Sequence, residues 1–407
     1  MTEPIAPRES APSTSRDTPL RERHEALGAS FTDFGGWQMP VRYTSDLAEH
    51  HAVREAAGVF DISHMAEFLV DGPAAADYLD YCLAGRLSAM AVGKAKYSLL
   101  LAEDGGIIDD VIVYRMGDQR FLIISNAGNR DAVREALEAR IRPVEFAATA
   151  DAIGEDGSFG FVAGAHAVTV EDVSDDFALI AVQGPASERI LTEVAGIDEL
   201  SVPWAEQKYY SWASATFAGK PLLLARTGYT GEDGFELLVP AAEAADLWDA
   251  VLAAGEPLGL VPAGLAARDT LRLEAGMPLY GHELTRETVP AQAGLGRVVV
   301  ADKERFVGKD ALAGGTAGTG THAGRTLIGL TAEGRRAGRA GYSVVLEDGT
   351  VVGEITSGAL SPTLGHPIAM AYVDPQHAED GADLFLDVRG TKIPATRTAL
   401  PFYRRKK

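Results

Sequence analysis

Cysteine, basic residues and long apolar runs are scarce in this chain of 407 residues, and each scarcity excludes a class of protein. Cys82 is the single cysteine, which rules out an intramolecular disulfide and CxxC metal or redox motifs and suits a reducing cytoplasm. Lysine and arginine number 37 against 58 aspartates and glutamates, and the net charge of -21 disfavours nucleic acid or an anionic membrane as a partner. No segment approaches the roughly 20 apolar residues of a membrane helix. We therefore expect a cytoplasmic protein without nucleic-acid or membrane partners.

Signatures of metal and covalent catalysis are also missing. His282-Glu283 lacks the second histidine of HExxH, and no GxSxG motif occurs. Cys82 has no activating partner that the sequence reveals. His64, in the run Asp61-Ile62-Ser63-His64-Met65, suits a functional base or a buried structural histidine equally. We expect no metal site, and both interpretations of His64 stay open.

The length suits two or three domains, each with its own core. Apolar periodicity, glycine stops and capping residues predict helices over 46–57, after Gln183-Gly184, from Ala241 to Gly255 and over about 263–275. Asp46 and Glu49 resemble a capping box at the start of the first of these helices, and Pro185 is expected at the first position of the second. Strands are predicted over 66–70, 97–101, 109–114, 121–125, 177–182, 222–226 and 236–239. This spacing favours an α+β fold over a regular βαβ nucleotide-binding fold.

Both ends of the chain differ in composition from its middle. Residues 1–18 are rich in Ser, Thr, Pro and Glu and lack the apolar core of a secretory signal, so we predict a disordered lead. Residues 313–325 are mostly Gly, Thr and Ala and resemble a loop or linker. Short strands and turns over 325–403 predict a separate all-β module.

Two adjacent acids, Asp109 and Asp110, stand inside an apolar strand that follows the turn Gly105-Gly106. Successive strand residues point to opposite faces, so one of these carboxylates is directed inward if one face is core. An inward carboxylate is costly unless something pairs with it or uses it. The alternative is that one acid caps a turn while the other is solvated on an edge strand.

Two further segments combine turns with charge. The run Arg226-Thr227-Gly228-Tyr229-Thr230-Gly231-Glu232-Asp233-Gly234-Phe235-Glu236 suits a hairpin loop or a ligand loop, and Glu236 is an acid at the start of a strand. Arg268 and Arg272 stand at i and i+4 of a helix, a fork suited to a carboxylate. The alternative for these arginines is a salt-bridged helix face with Asp269 and Glu274.

Taken together, the sequence resembles the aminomethyltransferase (T-protein) family of the glycine cleavage system. The matching segments run in order from about residue 18 to 403 and are Phe34-Gly35-Gly36-Trp37-Gln38-Met39-Pro40, Phe60-Asp61-Ile62-Ser63-His64-Met65, Gly105-Gly106-Ile107-Ile108-Asp109-Asp110, Ser125-Asn126-Ala127, Gln183-Gly184-Pro185, Gly228-Tyr229-Thr230-Gly231-Glu232-Asp233-Gly234-Phe235-Glu236, Ala267-Arg268-Asp269, Leu271-Arg272-Leu273-Glu274-Ala275-Gly276 and Ile355-Thr356-Ser357-Gly358.

This resemblance implies a three-domain, cloverleaf-like α+β enzyme with a C-terminal barrel-like or jelly-roll domain. We expect a lead over 1–18, a first α+β domain over 19–60 and 150–255, a second over 61–149 and 256–285, and a β-rich domain over 286–407. The implied co-substrate is tetrahydrofolate, with no metal and no flavin, and the implied partners are the lipoylated H-protein carrier and the other glycine cleavage components.

The family pattern also implies roles for particular residues. Asp110 would be the catalytic and pterin-contacting carboxylate, while Asp109 on the opposite face is structural. Glu236 would accept hydrogen bonds from the pterin, and Arg268 would meet the glutamyl tail. The folate site would be lined by Tyr97, Tyr114, Asn126 and Tyr229.

One position departs from the family pattern. Members often have a tryptophan where this chain has Arg297, so the local contact with folate or carrier is open. Because the carrier is acidic in this family, we expect a basic patch at the mouth of the site. A folate-dependent demethylase or methyltransferase and a non-catalytic folate-binding regulator are the alternative functions.

Overall fold

The computed structural model describes residues 15–150, 167–379 and 381–405. Its α-helices are Arg21–Ala26, Asp46–Glu55, Ala75–Cys82, Arg130–Ala150, Ser187–Thr192, Ala244–Gly255, Leu265–Glu274 and Lys309–Ala313. Short 3-10 turns stand at Ala127–Asn129, Trp204–Glu206, Ala241–Glu243, Glu256–Leu258, Gly296–Val298, Gly320–His322 and Pro375–His377. Within these described residues, no helix is long and apolar enough to cross a membrane.

A seven-stranded sheet forms one half of the N-terminal region. Its order is Ile197–Asp198, Trp212–Phe217, Lys220–Ala225, Gly234–Pro240, Phe177–Gln183, Ala57–Asp61 and Leu260–Pro262. Neighbouring strands are antiparallel except for the last pair, which is parallel. An apolar core with Trp248 at 0% exposure lies behind this sheet, under the helix Ala244–Gly255.

A five-stranded antiparallel sheet forms the other half. Its order is Ala95–Leu101, Ile107–Arg115, Arg120–Ser125, Ala66–Asp71 and Thr169–Asp172. A second core lies behind it, where Tyr78 and Leu79 of the helix Ala75–Cys82 meet Val111 and Val113. The strand Thr169–Asp172 therefore belongs to the five-stranded sheet, although residues 150–255 were assigned to the domain of the seven-stranded sheet. Conversely, Leu260–Pro262 belongs to the seven-stranded sheet, although residues 256–285 were assigned to the domain of the five-stranded sheet. Both strands pair with the edge of a sheet, and the local sequence does not determine which sheet edge a strand joins.

The inner faces of the two sheets enclose a third core. Tyr114, Leu122 and Ile124 from the five-stranded sheet meet Leu179 and Leu238 from the seven-stranded sheet there. Tyr114 is on the same face of its strand as Asp110, because the two positions are four residues apart. This face carries the candidate site.

The C-terminal module is a closed barrel in which every strand has two neighbours. Its order is Thr326–Ala332, Pro367–Val373, Val351–Leu360, Ser343–Val345, Leu384–Val388 and Thr391–Thr398, and the last strand pairs with the first. Closure removes the unpaired edges of the strands. The prediction of a separate barrel-like β domain is confirmed.

A two-stranded hairpin, Ser30–Phe34 and Trp37–Arg42, stands apart from both sheets. Arg16 pairs with this hairpin: its backbone N–H donates to the oxygen of Gly36 over 2.9 Å, and its oxygen accepts from Gln38 over 2.8 Å. Residues 1–14 of the predicted disordered lead lie outside the described residues. For Arg16 and Thr18 the prediction of disorder was wrong.

Three local predictions about helix ends were also wrong. The helix Asp46–Glu55 is capped by Ser45, whose hydroxyl accepts from the N–H of Ala48, rather than by Asp46 with Glu49. Glu49 instead accepts from the backbone of residues 43, 44 and 264, so it ties the helix to neighbouring segments. Ala57 begins a strand, and the helix after Pro185 begins at Ser187, so this proline precedes the helix.

The turn before the acidic strand needs glycine for steric reasons. Gly105 has φ +87°, a left-handed backbone that other residues rarely adopt. A Cβ on Gly106 would lie 2.0 Å from the backbone oxygen of Arg286, inside any allowed contact. The turn can therefore pack directly against the backbone of Arg286.

Candidate functional site

A cavity of about 290 Å³ opens between the inner faces of the two sheets and the segment that follows the helix Leu265–Glu274. Most of its lining is apolar or aromatic, and its ionisable members converge from different elements. Concave, largely apolar sites with a few convergent polar groups are typical of ligand pockets. The lining residues are Phe34, Ile62, His64, Met65, Tyr97, Asp110, Val111, Ile112, Ile124, Asn126, Leu179, Tyr210, Gly228, Tyr229, Glu236, Arg268, Gly276, Met277, Pro278, Leu279 and Leu295.

Asp110 reaches this cavity from the strand Ile107–Arg115, with both of its oxygens hydrogen-bonded. The hydroxyl of Tyr97 donates to Oδ2 over 3.0 Å, and the side-chain amide of Asn126 donates to Oδ1 over 2.8 Å. Tyr97 lies on the neighbouring strand, two residues from Leu99, which is the partner of Asp110. Tyr97 is therefore a diagonal neighbour of Asp110 on the same face of the sheet. The sequence prediction of an inward Asp110 is thus matched by its position.

Asp109 is directed to the opposite face but is itself fully buried. Its carboxylate accepts from the backbone and side-chain N–H groups of Asn126 over 2.9 and 2.8 Å and from the amide of Asn129 over 2.6 Å. Asn126 therefore bridges the two acids. Burial and the charge of Asp110 raise the pKa of Asp109 to about 8, and burial raises the pKa of Asp110. Each of these buried carboxyl groups therefore takes up a proton more readily than an exposed aspartate does.

Glu236 supplies a second buried carboxylate on the other sheet. The hydroxyl of Thr227 donates to its Oε2 over 2.5 Å, and burial raises the pKa of Glu236. Tyr114 also donates to this oxygen, over 3.4 Å, and is only 2% exposed. Tyr114 therefore lies behind Glu236 and is not part of the cavity lining. Its ring fills the core between the sheets, and its hydroxyl contacts Thr227 and Glu236 at the edge of the site.

Arg268 is the cation of the cavity. Its guanidinium lies 4.8 Å from the centre of the Tyr229 ring, and its Nη1 atom is buried without a hydrogen-bond partner in the described part of the chain. Burial lowers the pKa of Arg268, while the carboxylate of Glu236 opposes that effect. A buried donor without an acceptor is costly, so this group is prepared for an anionic or accepting ligand atom.

Of the two interpretations left open for Arg268 and Arg272, the structure does not show the carboxylate fork. Arg272 is 1% exposed and turns away from the cavity, donating to Glu283 over 3.0 Å and to the hydroxyl of Ser357 in the barrel over 2.7 Å. It also bonds Asp269, as the salt-bridge alternative has it, whereas Glu274 pairs with Arg54. Arg272 is therefore a structural link between the helix and the barrel.

His64 lies in the cavity wall with its ring 5.5 Å from that of Phe34, in an edge contact. Its Nδ1 atom is buried without a partner among the described residues. Burial, together with the charge of Arg268, lowers the pKa of His64 to about 4, against a weaker opposing effect of Asp61. The imidazole is therefore neutral at physiological pH and offers the cavity a polar but uncharged edge.

This shifted pKa predicts an acid-side loss of stability. The native state resists protonation of His64 down to about pH 4, whereas the unfolded chain takes up the proton near pH 6.5. The stability that comes from keeping His64 neutral is thus fully present above pH 6.5 and is lost as the pH falls toward 4. At pH 5 we expect the free energy of unfolding to be about 2 kcal/mol lower than at pH 7 from this residue alone. Urea unfolding of the unchanged protein and of His64→Gln at both pH values measures the difference, and equal pH dependence in the two proteins would contradict it.

Several lining residues escaped the sequence analysis. Phe34 and Met65 stand in segments that match the family, but like Leu295 they are apolar residues whose types suit any core position, so nothing singled them out as lining residues. Tyr210 has a signal that only the backbone reveals: its φ is +58°, a strained value for a bulky residue, and such strain clusters at ligand sites. Arg297 lies in the exposed turn Gly296–Val298, two residues beyond Leu295, and is not itself in the lining.

In residues 15–150, 167–379 and 381–405, no three His, Cys, Asp or Glu side chains come together in a way that would hold a metal ion. The ionisable groups of the cavity are instead paired with amides, hydroxyls and an aromatic face, as described above. This set of groups suits an organic ligand with donor, acceptor and anionic parts.

Comparison with known families agrees with this arrangement. The family described as the GCVT N-terminal domain matches residues 20–303, and the glycine cleavage T-protein C-terminal barrel domain matches residues 325–404. The chain belongs to the glycine cleavage T-protein family. The first match contains both sheets and the cavity, and the second contains the whole barrel.

Individual T-proteins resemble the chain along its length. An aminomethyltransferase of Cutibacterium acnes is 53% identical over 396 residues, covering 96% of this chain and 99% of that protein. One from Saccharopolyspora erythraea is 50% identical, covering 97% and 99%. The crystal structure of the glycine cleavage system aminomethyltransferase T from Bartonella henselae has a TM-score of 0.81 at 35% identity and covers 97% of this chain and 100% of that one.

These likenesses confirm the α+β aminomethyltransferase fold with its C-terminal barrel. They also confirm the expected activity: the chain is an aminomethyltransferase of glycine cleavage. The demethylase and regulatory alternatives are not favoured, because eight relatives at 40–53% identity are named aminomethyltransferases.

Proposed function

We propose that this aminomethyltransferase binds tetrahydrofolate in the cavity between the sheets and transfers to it a methylene group from the aminomethyl-lipoyl arm of H-protein. The products are 5,10-methylenetetrahydrofolate, ammonia and the dihydrolipoyl carrier. The observation that carries this proposal is the convergence of Asp110, Glu236 and Arg268 with the aromatic side chains of Tyr97 and Tyr229 in a single cavity.

Each of these groups matches one part of a reduced folate. The pterin presents several N–H donors, which suit the buried Glu236 as an acceptor and the amide of Asn126 as an additional partner. Its flat ring suits an aromatic wall such as Tyr229. The glutamyl tail is anionic and suits the guanidinium of Arg268, whose Nη1 atom is unpartnered among the described residues.

Asp110 is the group that acts on the reacting nitrogen. N5 of the folate forms a bond to the methylene carbon as the bond between that carbon and the amine breaks, and N5 becomes positively charged while still carrying its hydrogen. Asp110 stabilises this charge and accepts the proton, which is passed on to the departing amine as ammonia forms. N10 then bonds to the same carbon as the carbon–sulfur bond breaks, and the proton of N10 goes to the leaving sulfur, which gives the dihydrolipoyl carrier. The raised pKa of Asp110 makes it a better proton acceptor at neutral pH than an ordinary aspartate. Tyr97 and Asn126 hold its two oxygens in place, as described above.

The proposed donor arrives with the carbon already at the oxidation level of the product. The transfer therefore needs neither a metal nor a flavin, and the carrier must bring the group to the cavity. The proposal includes the H-protein and the other glycine cleavage components as partners. It also includes a cytoplasmic location, which the single, buried Cys82 supports.

The deciding assay follows ammonia released from aminomethylated H-protein in the presence and absence of tetrahydrofolate. We expect release to depend on folate and to match 5,10-methylenetetrahydrofolate one to one. A carrier that is processed by the Bartonella relative but gives no ammonia with this protein would contradict the proposal. Formation of a methyl rather than a methylene product would identify a demethylase-type reaction instead.

Arg268→Met tests the assignment of the glutamyl tail. We expect the dissociation constant for tetrahydrofolate to rise about 10- to 100-fold, because a charge-assisted hydrogen bond contributes about 1.5–3 kcal/mol. A tetrahydropterin without the aminobenzoyl-glutamate tail should bind both proteins equally. Calorimetric titration with the two ligands measures these constants. Equal weakening for both ligands would show that Arg268 contacts the pterin end.

A further inference from the structure

Asn126 is the first residue after the strand Arg120–Ser125, and its side chain lies between the two adjacent acids Asp109 and Asp110. The amide nitrogen has two hydrogens and donates to one carboxyl oxygen of each acid, over 2.8 Å to Oδ1 of Asp109 and over 2.8 Å to Oδ1 of Asp110. A longer contact, of 3.3 Å, reaches the backbone oxygen of Asp110. Asn126 therefore connects the acid that lines the cavity to the acid on the opposite face of the strand.

Asp109 holds Asn126 at two points. Its Oδ2 accepts from the backbone N–H of Asn126 over 2.9 Å, while its Oδ1 accepts from the side-chain amide. Asn129, in the 3-10 turn that follows, donates to the same Oδ1 over 2.6 Å. Asp109 is fully buried, so losing any of these donors is costly. Contacts to both the backbone and the side chain of Asn126 leave its amide little freedom to rotate.

The orientation of this amide decides what the cavity receives from Asn126. Both oxygens of Asp109 accept from N–H groups, so the amide presents its nitrogen to them and its oxygen faces the other way. Within the described part of the chain that oxygen accepts no hydrogen bond, and Asn126 lines the cavity. A rotated amide would place its oxygen against the carboxyl groups, and Asp110 would lose the donor that holds its Oδ1.

We propose that Asp109 is a positioning residue for the transfer reaction, which through its two contacts with Asn126 keeps the amide nitrogen on Asp110 and the amide oxygen toward the cavity. This inference rests on the proposed function, in which Asp110 acts on N5 of the folate. A carboxylate held on both oxygens, by Tyr97 and by Asn126, needs no reorganisation as N5 becomes charged. Asp109 itself is not in the cavity lining, so it acts through its neighbour.

Asp109→Asn tests the inference, because asparagine has the same shape but one accepting oxygen instead of two. Asn126 then loses one of its two contacts, and we expect kcat for folate-dependent ammonia release to fall about tenfold at saturating folate and carrier. Asn126→Ala should lower kcat at least as much. The double variant should be no slower than Asn126→Ala alone, because Asp109 acts through Asn126. Steady-state kinetics of the four proteins measure this coupling, which a merely structural effect of Asp109 would not produce.

The matched control is Glu67→Gln, which replaces another buried acid of the same five-stranded sheet by its amide. Glu67 is 1% exposed, stands on the strand Ala66–Asp71 and is not in the cavity lining. We expect its kcat to be unchanged. Circular dichroism checks that each variant folds, and Asp109→Ser, which also lacks the second oxygen, takes the place of Asp109→Asn if that protein is unfolded.

Three outcomes overturn the inference. A folded Asp109→Asn protein with full kcat would show that Asp109 only stabilises the fold. A double variant slower than Asn126→Ala by the whole effect of Asp109→Asn would show that Asp109 acts without Asn126. An equal loss in Glu67→Gln would show a general effect of replacing buried acids. Failure of the proposed role of Asp110 is distinguishable, because Asp110→Asn would then keep its full kcat as well.

Discussion

Asp110→Asn should lower kcat for folate-dependent ammonia release by about 100- to 1,000-fold, the usual effect of removing a group that stabilises charge in the transition state. Asparagine has the shape of aspartate, and its oxygen still accepts the hydrogen bond from Tyr97. It carries no negative charge and takes no proton at neutral pH, so it cannot assist the attack of N5. Steady-state kinetics with saturating carrier and folate measure the loss.

The matched control for this variant is Asp104→Asn, in the turn that precedes the same strand. Asp104 is exposed and accepts from the N–H of Gly106 over 3.0 Å, a bond that asparagine retains. We expect its kcat to be unchanged. An Asp110→Asn protein that binds tetrahydrofolate normally and keeps its full kcat would show that another group accepts the proton.

Arg272→Met should lower the free energy of unfolding by about 3–5 kcal/mol, because it leaves Glu283 buried without its cation. The side chains of Arg272 and Glu283 are 2% and 0% exposed, and their atoms Nη1 and Oε2 are 3.0 Å apart. Methionine fills part of the volume but donates to neither Glu283 nor Ser357. Urea denaturation monitored by circular dichroism gives the difference in free energy.

Two further variants separate lost charge pairing from lost packing. Arg23→Met removes an exposed pair, with side chains 35% and 53% exposed in Arg23 and Asp249, and should cost less than about 1 kcal/mol. Adding Glu283→Gln to Arg272→Met removes the unpaired charge and should recover part of the stability. A cost for Arg272→Met no larger than that for Arg23→Met would overturn the assignment of Arg272 as a buried link.

Strand alternation predicts from the sequence that one of Asp109 and Asp110 is directed inward, but it does not decide which one. Apolar residues stand on both faces of this strand, so Asp110 was singled out by the resemblance to the T-protein family. Glu236 was assigned by the same resemblance, and it stands on a strand that is buried along almost its whole length. The short-range rule therefore identified the acidic strand, and the family pattern identified the residue.

Other features depend on contacts between distant segments. Helical periodicity places Arg268 and Arg272 near one another, but one faces the cavity and the other faces Glu283 and the barrel. Tyr114 was assigned to the folate site by the family pattern, and the structure packs its ring against the opposing sheet, with its hydroxyl on Glu236. The cap at Ser45 was missed because Asp46 and Glu49 imitate a capping box, whereas Glu49 is engaged by backbone N–H groups up to Gly264.

The arrangement of the two N-terminal sheets has a consequence for the order of folding. The five-stranded sheet uses residues 66–172 and can form from a continuous stretch of chain. The strand Ala57–Asp61 pairs with Phe177–Gln183 on one side and Leu260–Pro262 on the other, so it must wait for both. At about 5–20 residues per second, synthesis of the intervening chain takes roughly ten seconds or more. Until Phe177–Gln183 has been synthesised, the apolar residues Val59-Phe60 have no partner strand, and Asp61 beside them supplies a charge that discourages pairing with other chains.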